Sequence, residues 1–239
     1  MAALSSSSTA AEIIAHLRST GSEDNRQGMR RYGISVDRAL GIPHGEQRDI
    51  AKKIKRNHER ALELWESGIT EAQFIASLTA DPKRFTKADA RRWAAEFDSW
   101  DIVDGVSDFF VDTDHWRELI AEFAVDEREF VRRAAFAMIA WAVVHRKKEA
   151  DATFVAFLPL IRAHSQDDRN FVKKAVSWAL RSIGKRNMNL NESALELAEK
   201  LATSENRTAR WTGRQAIRDL TGEKTRARLE KKEKSPAKA

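Results

Sequence analysis

The sequence predicts an all-α fold in which successive helices pack as antiparallel pairs, and three observations support this. The 239 residues include only four prolines and ten glycines, while the helix formers Ala, Leu, Glu, Lys and Arg are abundant. Apolar residues recur at helical spacing, and the strict alternation typical of strands is hard to find. The connections between predicted helices are short, which favours antiparallel neighbours.

The helices are placed in chain order by this spacing. The first begins at the capping box TAAE, residues 9–12, in which the Thr and Glu side chains satisfy backbone N–H groups, and it ends near Gly21. Further helices are predicted over 24–32, 46–66, 70–80, 86–97, 100–111, 114–124, 127–146, 150–163, 168–185, 190–203 and 206–221.

Two short motifs recur within this helical run. FVRRA at 130–134 returns as FVKKA at 171–175, and WALR at 178–181 is echoed by QAIR at 215–218. Their spacings are typical of helical-pair repeats of the HEAT or armadillo kind, which stack into a solenoid with a concave face. A generic helix bundle is the alternative, and the sequence favours the solenoid as a single domain over residues 1–221.

The charge is concentrated at the C-terminal end. The net charge is +6, and residues 222–239 hold seven Lys or Arg against three Glu, so we predict a disordered basic tail there. The rest of the chain is nearly balanced. Any basic surface on residues 1–221 must therefore come from the arrangement of the side chains.

Several classes of site and location are disfavoured by composition. There is no cysteine, which excludes disulfides, thiolate metal sites and a thiol nucleophile. We find no metal-ligand spacing or phosphate-binding loop, so neither a metal nor a cofactor is predicted. No apolar run approaches the ~20 residues that span a bilayer, and the N-terminus lacks the pattern of a signal peptide. We expect a cytoplasmic, nucleoid-associated monomer that does not bind membranes.

The seven tryptophans divide into two classes by their position on the predicted helices. Four lie on apolar faces and are assigned to the core: Trp65, Trp93, Trp116 and Trp141. The other three, Trp100, Trp178 and Trp211, lie off the apolar faces. On its helix, Asp104 lies about 40° around the axis from Trp100, and both are far from the apolar side.

Cations flank two of these three tryptophans. Trp178 lies among Lys174, Arg181 and Lys185, and Trp211 shares a stripe with Arg207, Arg214 and Arg218. Aromatic rings among cations are typical of a nucleic-acid interface, because the cations neutralise phosphates and the ring contacts a base or sugar. The alternative is that a neighbouring helix or arginine stem covers each indole.

The same residues resemble the motifs of a known family. Over residues 25–221 the chain is similar to the bacterial HEAT-like DNA alkylation repair family, which includes alkylpurine DNA glycosylases and DNA-binding paralogues. The resemblance implies a HEAT-like superhelix whose concave basic face binds double-stranded DNA, damaged or branched. It also implies excision of cationic N3- and N7-alkylpurines without base flipping, leaving an abasic site. The motifs are SWDIVD (99–104), FVRRAA (130–135), FVKKAVSWALRSIGKRN (171–187), RRYGISVDRALGIPHGEQRDIAKKI (30–54) and LWESGITEAQFIASLTADP (64–82).

The resemblance assigns a role to individual residues. Trp100, Asp104 and Trp178 match side chains that contact the deoxyribose of the lesion, and Arg133 matches a backbone-binding arginine, with Arg132 as the alternative. We expect Trp100, Asp104, Arg133, Trp178 and Trp211 to line or approach one concave groove, which also carries a set of DNA-binding residues. That set is Arg132, Lys173, Lys174, Arg181, Lys185, Arg207, Arg210, Trp211, Arg214 and Arg218.

Other interpretations of the site residues remain open. Asp101 and Asp104 could both be first-turn acids that favour the helix dipole, an interpretation stronger for Asp101. Arg133, predicted to be buried, needs an anionic partner, either a DNA phosphate or a nearby carboxylate. The candidate carboxylates are those of Asp126, Glu127 and Glu129.

The chain also departs from the family pattern. Phe130 stands where a tryptophan is expected before the arginine pair, and the segment between Arg133 and Trp178 is long, as if residues were inserted around 145–155. A non-catalytic paralogue that binds branched or damaged DNA is therefore an alternative to the glycosylase. A helical-repeat scaffold that binds a protein is a third hypothesis.

Overall fold

The computed structural model describes residues 3–234, and that part of the chain is helical throughout, without strands. It divides into two compact units after Trp116. The helices of the first unit are α1 Ala10–Thr20, α2 Glu23–Arg31, α3 His44–Ile54, α4 His58–Glu66, α5 Thr70–Thr79, α6 Lys87–Ala94 and α7 Trp100–Asp112. The prediction of an all-α fold is confirmed.

The second unit follows with shorter connections. Its helices are α8 Trp116–Ala124, which begins at the boundary, α9 Glu129–His145, α10 Asp151–Val155, α11 Leu158–His164, α12 Asn170–Gly184, α13 Met188–Ala202, α14 Arg207–Leu220 and α15 Glu223–Lys234. None of the helices described is long and apolar enough to cross a membrane.

Hydrogen bonds at helix ends order the first unit. The predicted capping box is present at α1, where Thr9 accepts from the N–H of Glu12 and the Glu12 carboxylate accepts from the N–H of Thr9. The buried guanidinium of Arg60, on α4, donates to the carbonyls of Ile54 and Lys55 at the end of α3. It also donates to the N-terminal segment before α1. The Arg60 side chain thus links α4 to the end of α3 and to the segment before α1.

Stacked aromatic rings form the core of the first unit. Trp65 and Trp93 are both fully buried, and their rings stack with centroids 4.0 Å apart. Phe85 packs edge-on against Trp93 at 4.6 Å. Trp116 is also buried. The burial predicted for these three tryptophans is therefore observed.

The close approach of α5 and α7 depends on a glycine. A Cβ built on Gly105 would lie only 2.4 Å from the ring of Phe74 on α5. No larger residue fits unless that ring moves. Gly105 follows Asp104 directly, so this contact fixes the position of the α7 turn that carries Trp100 and Asp104.

In the second unit the two sequence echoes fall on helices that pack against each other. FVRRA begins α9, FVKKA begins α12, and α12 contacts both α9 and α14. The first phenylalanines of the two motifs, Phe130 and Phe171, have ring centroids 5.3 Å apart. The motifs therefore mark equivalent positions of neighbouring repeats, as the spacing predicted.

A second repeat lies in the turns before α9 and α12. Asp126 accepts from the backbone N–H of Arg128 and from its guanidinium. Asp167 makes the same contacts with Arg169. The guanidinium of Arg169 also donates to the carbonyl of Glu127 in the preceding turn. These Asp-x-Arg turns link one repeat to the next, and they are absent from the motifs predicted from the sequence.

Asp167 also pairs with Arg132, which makes it the centre of a small ionic cluster. Burial alone would raise its pKa, but hydrogen bonds from Arg169 and Arg132 lower the pKa of Asp167 from 3.8 to about 2. A lowered folded-state pKa contributes stability above pH 4, and that stability is lost as the pH falls toward 2.

We therefore expect Asp167→Asn to lower the free energy of unfolding by about 2 kcal/mol at neutral pH, less than a fully buried pair because of partial solvent screening. Urea unfolding followed by circular dichroism measures the loss. The difference from wild type should shrink between pH 4 and pH 2. Glu59→Gln, which removes an exposed partner of Arg84, is the control and should change the stability little, because water and salt screen an exposed pair. Equal effects of the two variants would contradict the structural role of Asp167.

Two long helices of the sequence prediction are each two helices in the structure. The predicted 46–66 helix breaks after Ile54, where Lys55 has a φ of 64° and Asn57 caps α4 by accepting from the N–H of Arg60. The predicted 150–163 helix breaks between α10 and α11, and Pro159 lies in the first turn of α11. Proline has no N–H and is tolerated at a helix start.

The C-terminal segment differs from the predicted disordered tail. Residues 223–234 form α15, which packs on α13 and α14 with Leu229 fully buried. Thr225 and Leu229 lie one turn apart on the same side of α15. These two buried residues hold the helix against α13 and α14, although the rest of its surface is charged. Residues 235–239 of the predicted tail lie outside the described part. The single domain predicted over 1–221 stays a prediction.

Candidate nucleic-acid interface

Trp100 and Asp104 lie one turn apart on α7, on the side away from its core-facing residues. Both are half-buried, whereas Ile102, Val103 and Val106 are buried. The indole N–H of Trp100 donates to the carbonyl of Tyr32 at 3.0 Å. This bond fixes the orientation of the ring, and part of its surface stays accessible.

Asp101 lies in the first turn of α7, as the helix-dipole interpretation requires, and it is buried. Only 7% of its surface is accessible. Burial raises the pKa of the Asp101 carboxyl, because desolvation disfavours the carboxylate. The two acids of the WDIVD motif therefore have different environments, and Asp104 is the more accessible.

Arg132 and Arg133, which are adjacent on α9, have different partners. Arg132 donates to Asp167 at 2.9 Å and to the carbonyl of Asp126. Arg133 is buried, and its guanidinium donates to the carbonyl of Phe171 at 2.8 Å. Since Arg132 belongs to the ionic cluster that links the repeats, Arg133 is the better candidate for the site arginine.

Two of the three carboxylates considered as partners of Arg133, those of Asp126 and Glu129, make other contacts. Asp126 pairs with Arg128, whose hydrogen bonds lower the pKa of Asp126. Glu129 accepts from the backbone N–H of Phe171. These contacts hold the ends of α9 and α12 together beside the Arg133 guanidinium.

Trp178 has an aromatic neighbour that the sequence analysis assigned to the core. Trp141 on α9 is half-buried, and its ring meets that of Trp178 edge-on with centroids 5.6 Å apart. The ring centroid of His145, one turn further along α9, lies 5.5 Å from that of Trp141. The assignment of Trp141 to the core was wrong in this respect, because α9 is apolar on nearly every side and its sequence does not show which edge is accessible.

Trp211 on α14 is half-buried beside a lysine of α12. The Nζ atom of Lys173 lies 5.3 Å from the centroid of the Trp211 ring, a cation–π contact. The predicted DNA-binding cations that are exposed in the second unit are Lys174, Arg207, Arg214 and Arg218. These side chains can meet phosphates without breaking a buried contact.

Other predicted cations already have protein partners. Arg181 and Lys185 of α12 both pair with Asp219 of α14. Arg210 donates to the carbonyls of Ser204 and Glu205 before its own helix. Burial alone would raise the pKa of Asp219, but hydrogen bonds from Lys185 and Arg181 hold it below its usual value. These contacts reduce the positive charge available to a ligand.

The predicted site residues are divided between the two units. Trp100 and Asp104 belong to the first unit, while Arg133, Trp178 and Trp211 belong to the second. The expectation that all five line one groove stays a prediction. The described residues contain no group of three or more His, Asp or Glu side chains that could hold a metal ion.

Comparison with known proteins identifies the family. A family model described as "DNA alkylation repair enzyme" matches residues 13–220, which is most of the chain. The chain belongs to this family. A search of curated proteins finds no match.

A solved structure resembles this DNA alkylation repair family member over nearly its whole length. It is described as "A new family of proteins related to the HEAT-like repeat DNA glycosylases with affinity for branched DNA structures". The TM-score is 0.75, and the match covers 93% of this chain and 96% of that chain at 20% identity. At this identity the likeness shows a shared fold. The HEAT-like fold predicted from the repeat spacing is therefore confirmed.

Proposed function

We propose that this chain is a DNA glycosylase that removes positively charged N3- and N7-alkylpurines from double-stranded DNA. The observation that carries the proposal is the pairing of Trp100 and Asp104 on the same side of α7. Both are partly accessible, and the indole is held by Tyr32. Membership of the DNA alkylation repair family supports it.

The chemistry of such a lesion suits these two side chains. An alkylated purine is already a cation and leaves without prior protonation by a general acid. Cleavage of the glycosidic bond builds positive charge on the deoxyribose, which the Asp104 carboxylate stabilises while it positions the attacking water. The face of the Trp100 indole adds cation–π stabilisation as the charge develops. Trp178 and Arg133 would contact the sugar and the DNA backbone.

Incubation with a duplex that carries one N7-methylguanine tests this proposal. Released base and alkali-labile strand breaks at the modified position are the expected result, and the unmodified duplex is the control. The protein would act as a cytoplasmic monomer, without a metal or a cofactor, so added chelator should leave the rate unchanged. Absence of base release under single-turnover conditions would contradict the glycosylase proposal.

A second candidate is a non-catalytic protein that binds branched DNA. Phe130 favours it, because its ring packs against Phe171 at the place where the glycosylase pattern has a tryptophan. The related solved structure is described by affinity for branched DNA. Binding to a four-way junction at least tenfold tighter than to linear duplex, without base release, would favour this candidate.

The ion pairs of Asp219 give a test of the DNA-binding surface. Asp219→Asn should release Arg181 and Lys185 for phosphates, because the carboxylate that holds both is gone. We expect duplex affinity to rise several-fold and the slope of log affinity against log salt to steepen by one to about two units. Fluorescence anisotropy at several salt concentrations measures both.

A matched control separates this effect from net charge alone. Glu196→Gln removes one negative charge from the exposed pair with Lys200 on α13. It should leave the salt slope nearly unchanged. If the two variants steepen the slope equally, Arg181 and Lys185 do not meet the DNA backbone.

A further inference from the structure

The first unit contains a cavity that the proposed function does not use. Helices α2, α3, α5 and α7 surround a volume of about 260 Å³. Its walls are largely apolar and include Met29, Ile34 and the ring of Phe74. Pockets for drug-sized ligands start at about 300 Å³, so this one fits a smaller molecule.

Two residues that line the cavity each have a buried hydrogen-bond acceptor without a partner. The Oδ1 atom of Asp101 and the Oε1 atom of Gln47 accept no hydrogen bond, although the two residues are only 7% and 4% exposed. The Gln47 amide is oriented because its Nε2 donates to the carbonyl of Ile42. Buried acceptors left unsatisfied each cost about 1–3 kcal/mol. Two of them on one cavity indicate a ligand that donates N–H groups.

The charge of the lining is negative. Asp101 and Glu71 both line the cavity, and the lining contains no Lys or Arg. The Glu71 carboxylate is satisfied by the backbone N–H groups of Leu40, Gly41 and Ile42. Burial lowers the pKa of His44 below its usual 6.5, so its imidazole is neutral at pH 7. Asp101 therefore has no compensating cation within the lining.

The aromatic wall indicates the shape of the ligand. The Phe74 ring packs against His44 with centroids 4.4 Å apart, and Tyr32 at the rim is largely exposed. The guanidinium of Arg48 lies 5.4 Å from the centroid of the Phe74 ring, although Arg48 is not part of the lining. The ring thus already takes part in a cation–π contact, and a flat cation in the cavity would make the same kind of contact.

We propose that this cavity binds a small planar cation with N–H groups, of the amidine or amino-heterocycle type, through Asp101 and Gln47. The Asp101 carboxylate pairs with the positive charge and accepts one N–H, and the Gln47 carbonyl accepts a second. The ring of the ligand packs on Phe74. The proposal stands independently of base excision, since none of these residues is assigned to that reaction.

Ligand-observed NMR and calorimetry with the whole protein test the proposal. Benzamidine serves as the amidine probe and 4-aminopyridine as the amino-heterocycle. Acetophenone is planar and of similar size but has neither charge nor N–H groups. We expect at least one cation to bind at least tenfold more tightly than acetophenone, and the tighter one identifies the ligand type. Equal binding of all three, or no binding of either cation, would overturn the proposal.

Variants test which residues bind the cation and whether a loss of binding is caused by misfolding. Asp101→Asn should weaken the bound cation at least tenfold, and Asp112→Asn, an exposed acid on the same helix, should leave it unchanged. His44→Lys places a fixed positive charge in the cavity lining and should also abolish binding, even if Asp101→Asn folds poorly. Circular dichroism reports the folding of each variant. Unchanged cation binding in a folded Asp101→Asn or His44→Lys protein would refute the site.

Discussion

Asp104→Asn is expected to slow base excision about a hundredfold or more, because it removes the charge that stabilises the developing cation on the sugar. Asparagine keeps the shape of the side chain, so the protein should fold with little change. Affinity for DNA should stay equal or rise, since a carboxylate repels phosphates in the ground state. Single-turnover excision of N7-methylguanine and anisotropy binding measure the two effects separately.

Asp108→Asn, four residues further along α7, is the matched control. It is half-buried like Asp104 and changes the net charge equally. It should leave the excision rate within about threefold of wild type, since the proposal gives it no contact with the sugar. A wild-type protein that excises base while Asp104→Asn excises it equally fast would rule out the assignment of Asp104.

Gly213→Ala is expected to destabilise the second unit by about 3 kcal/mol, and Gly213→Val by more. A Cβ at Gly213 would lie 2.4 Å from both the carbonyl oxygen of Ala198 and the backbone nitrogen of Ala202 on α13. Backbone atoms cannot rotate away as a side chain can, so α13 and α14 must separate. Urea unfolding followed by tryptophan fluorescence measures the loss.

Gly28→Ala, also within a helix, is expected to have the opposite effect on stability. A Cβ at Gly28 on α2 meets nothing within 4 Å, and alanine has the higher helix propensity. This variant should be stabilised by up to about 1 kcal/mol. If Gly213→Ala proves as stable as Gly28→Ala, the close packing of α13 on α14 is not needed for stability.

The order of the helices could be predicted because apolar residues recur at helical spacing in most of them, and some, such as α1, begin with a capping motif. The α1 capping box and the repeat motifs of α9 and α12 depend on residues close in sequence, so they are visible in the sequence. The break at Lys55 depends on a positive φ, which is uncommon outside glycine and gives no sequence signal.

The candidate site was harder to predict because burial depends on neighbouring helices. Asp101 lies off the apolar face of α7, but α5 packs against this helix and Asp101 is buried. Burial therefore raises its pKa, although the charge of His44 lowers it. Trp141 shows the reverse error, since an apolar helix does not reveal its accessible edge. The Asp-x-Arg turns could have been found from their recurrence with the same spacing as FVRRA and FVKKA.

The buried contact of α15 has a consequence for self-association. Stacked helical repeats leave an apolar edge after the last repeat, and natural arrays end in a helix whose outer face is polar. With Leu229 buried and Glu230, Lys231 and Lys232 exposed, α15 covers this edge on α13 and α14. A chain shortened before Glu223 would present that edge to another copy, and growth of end-to-end filaments or aggregates would follow. Helix α15 thus gives this edge of α13 and α14 a charged outer surface.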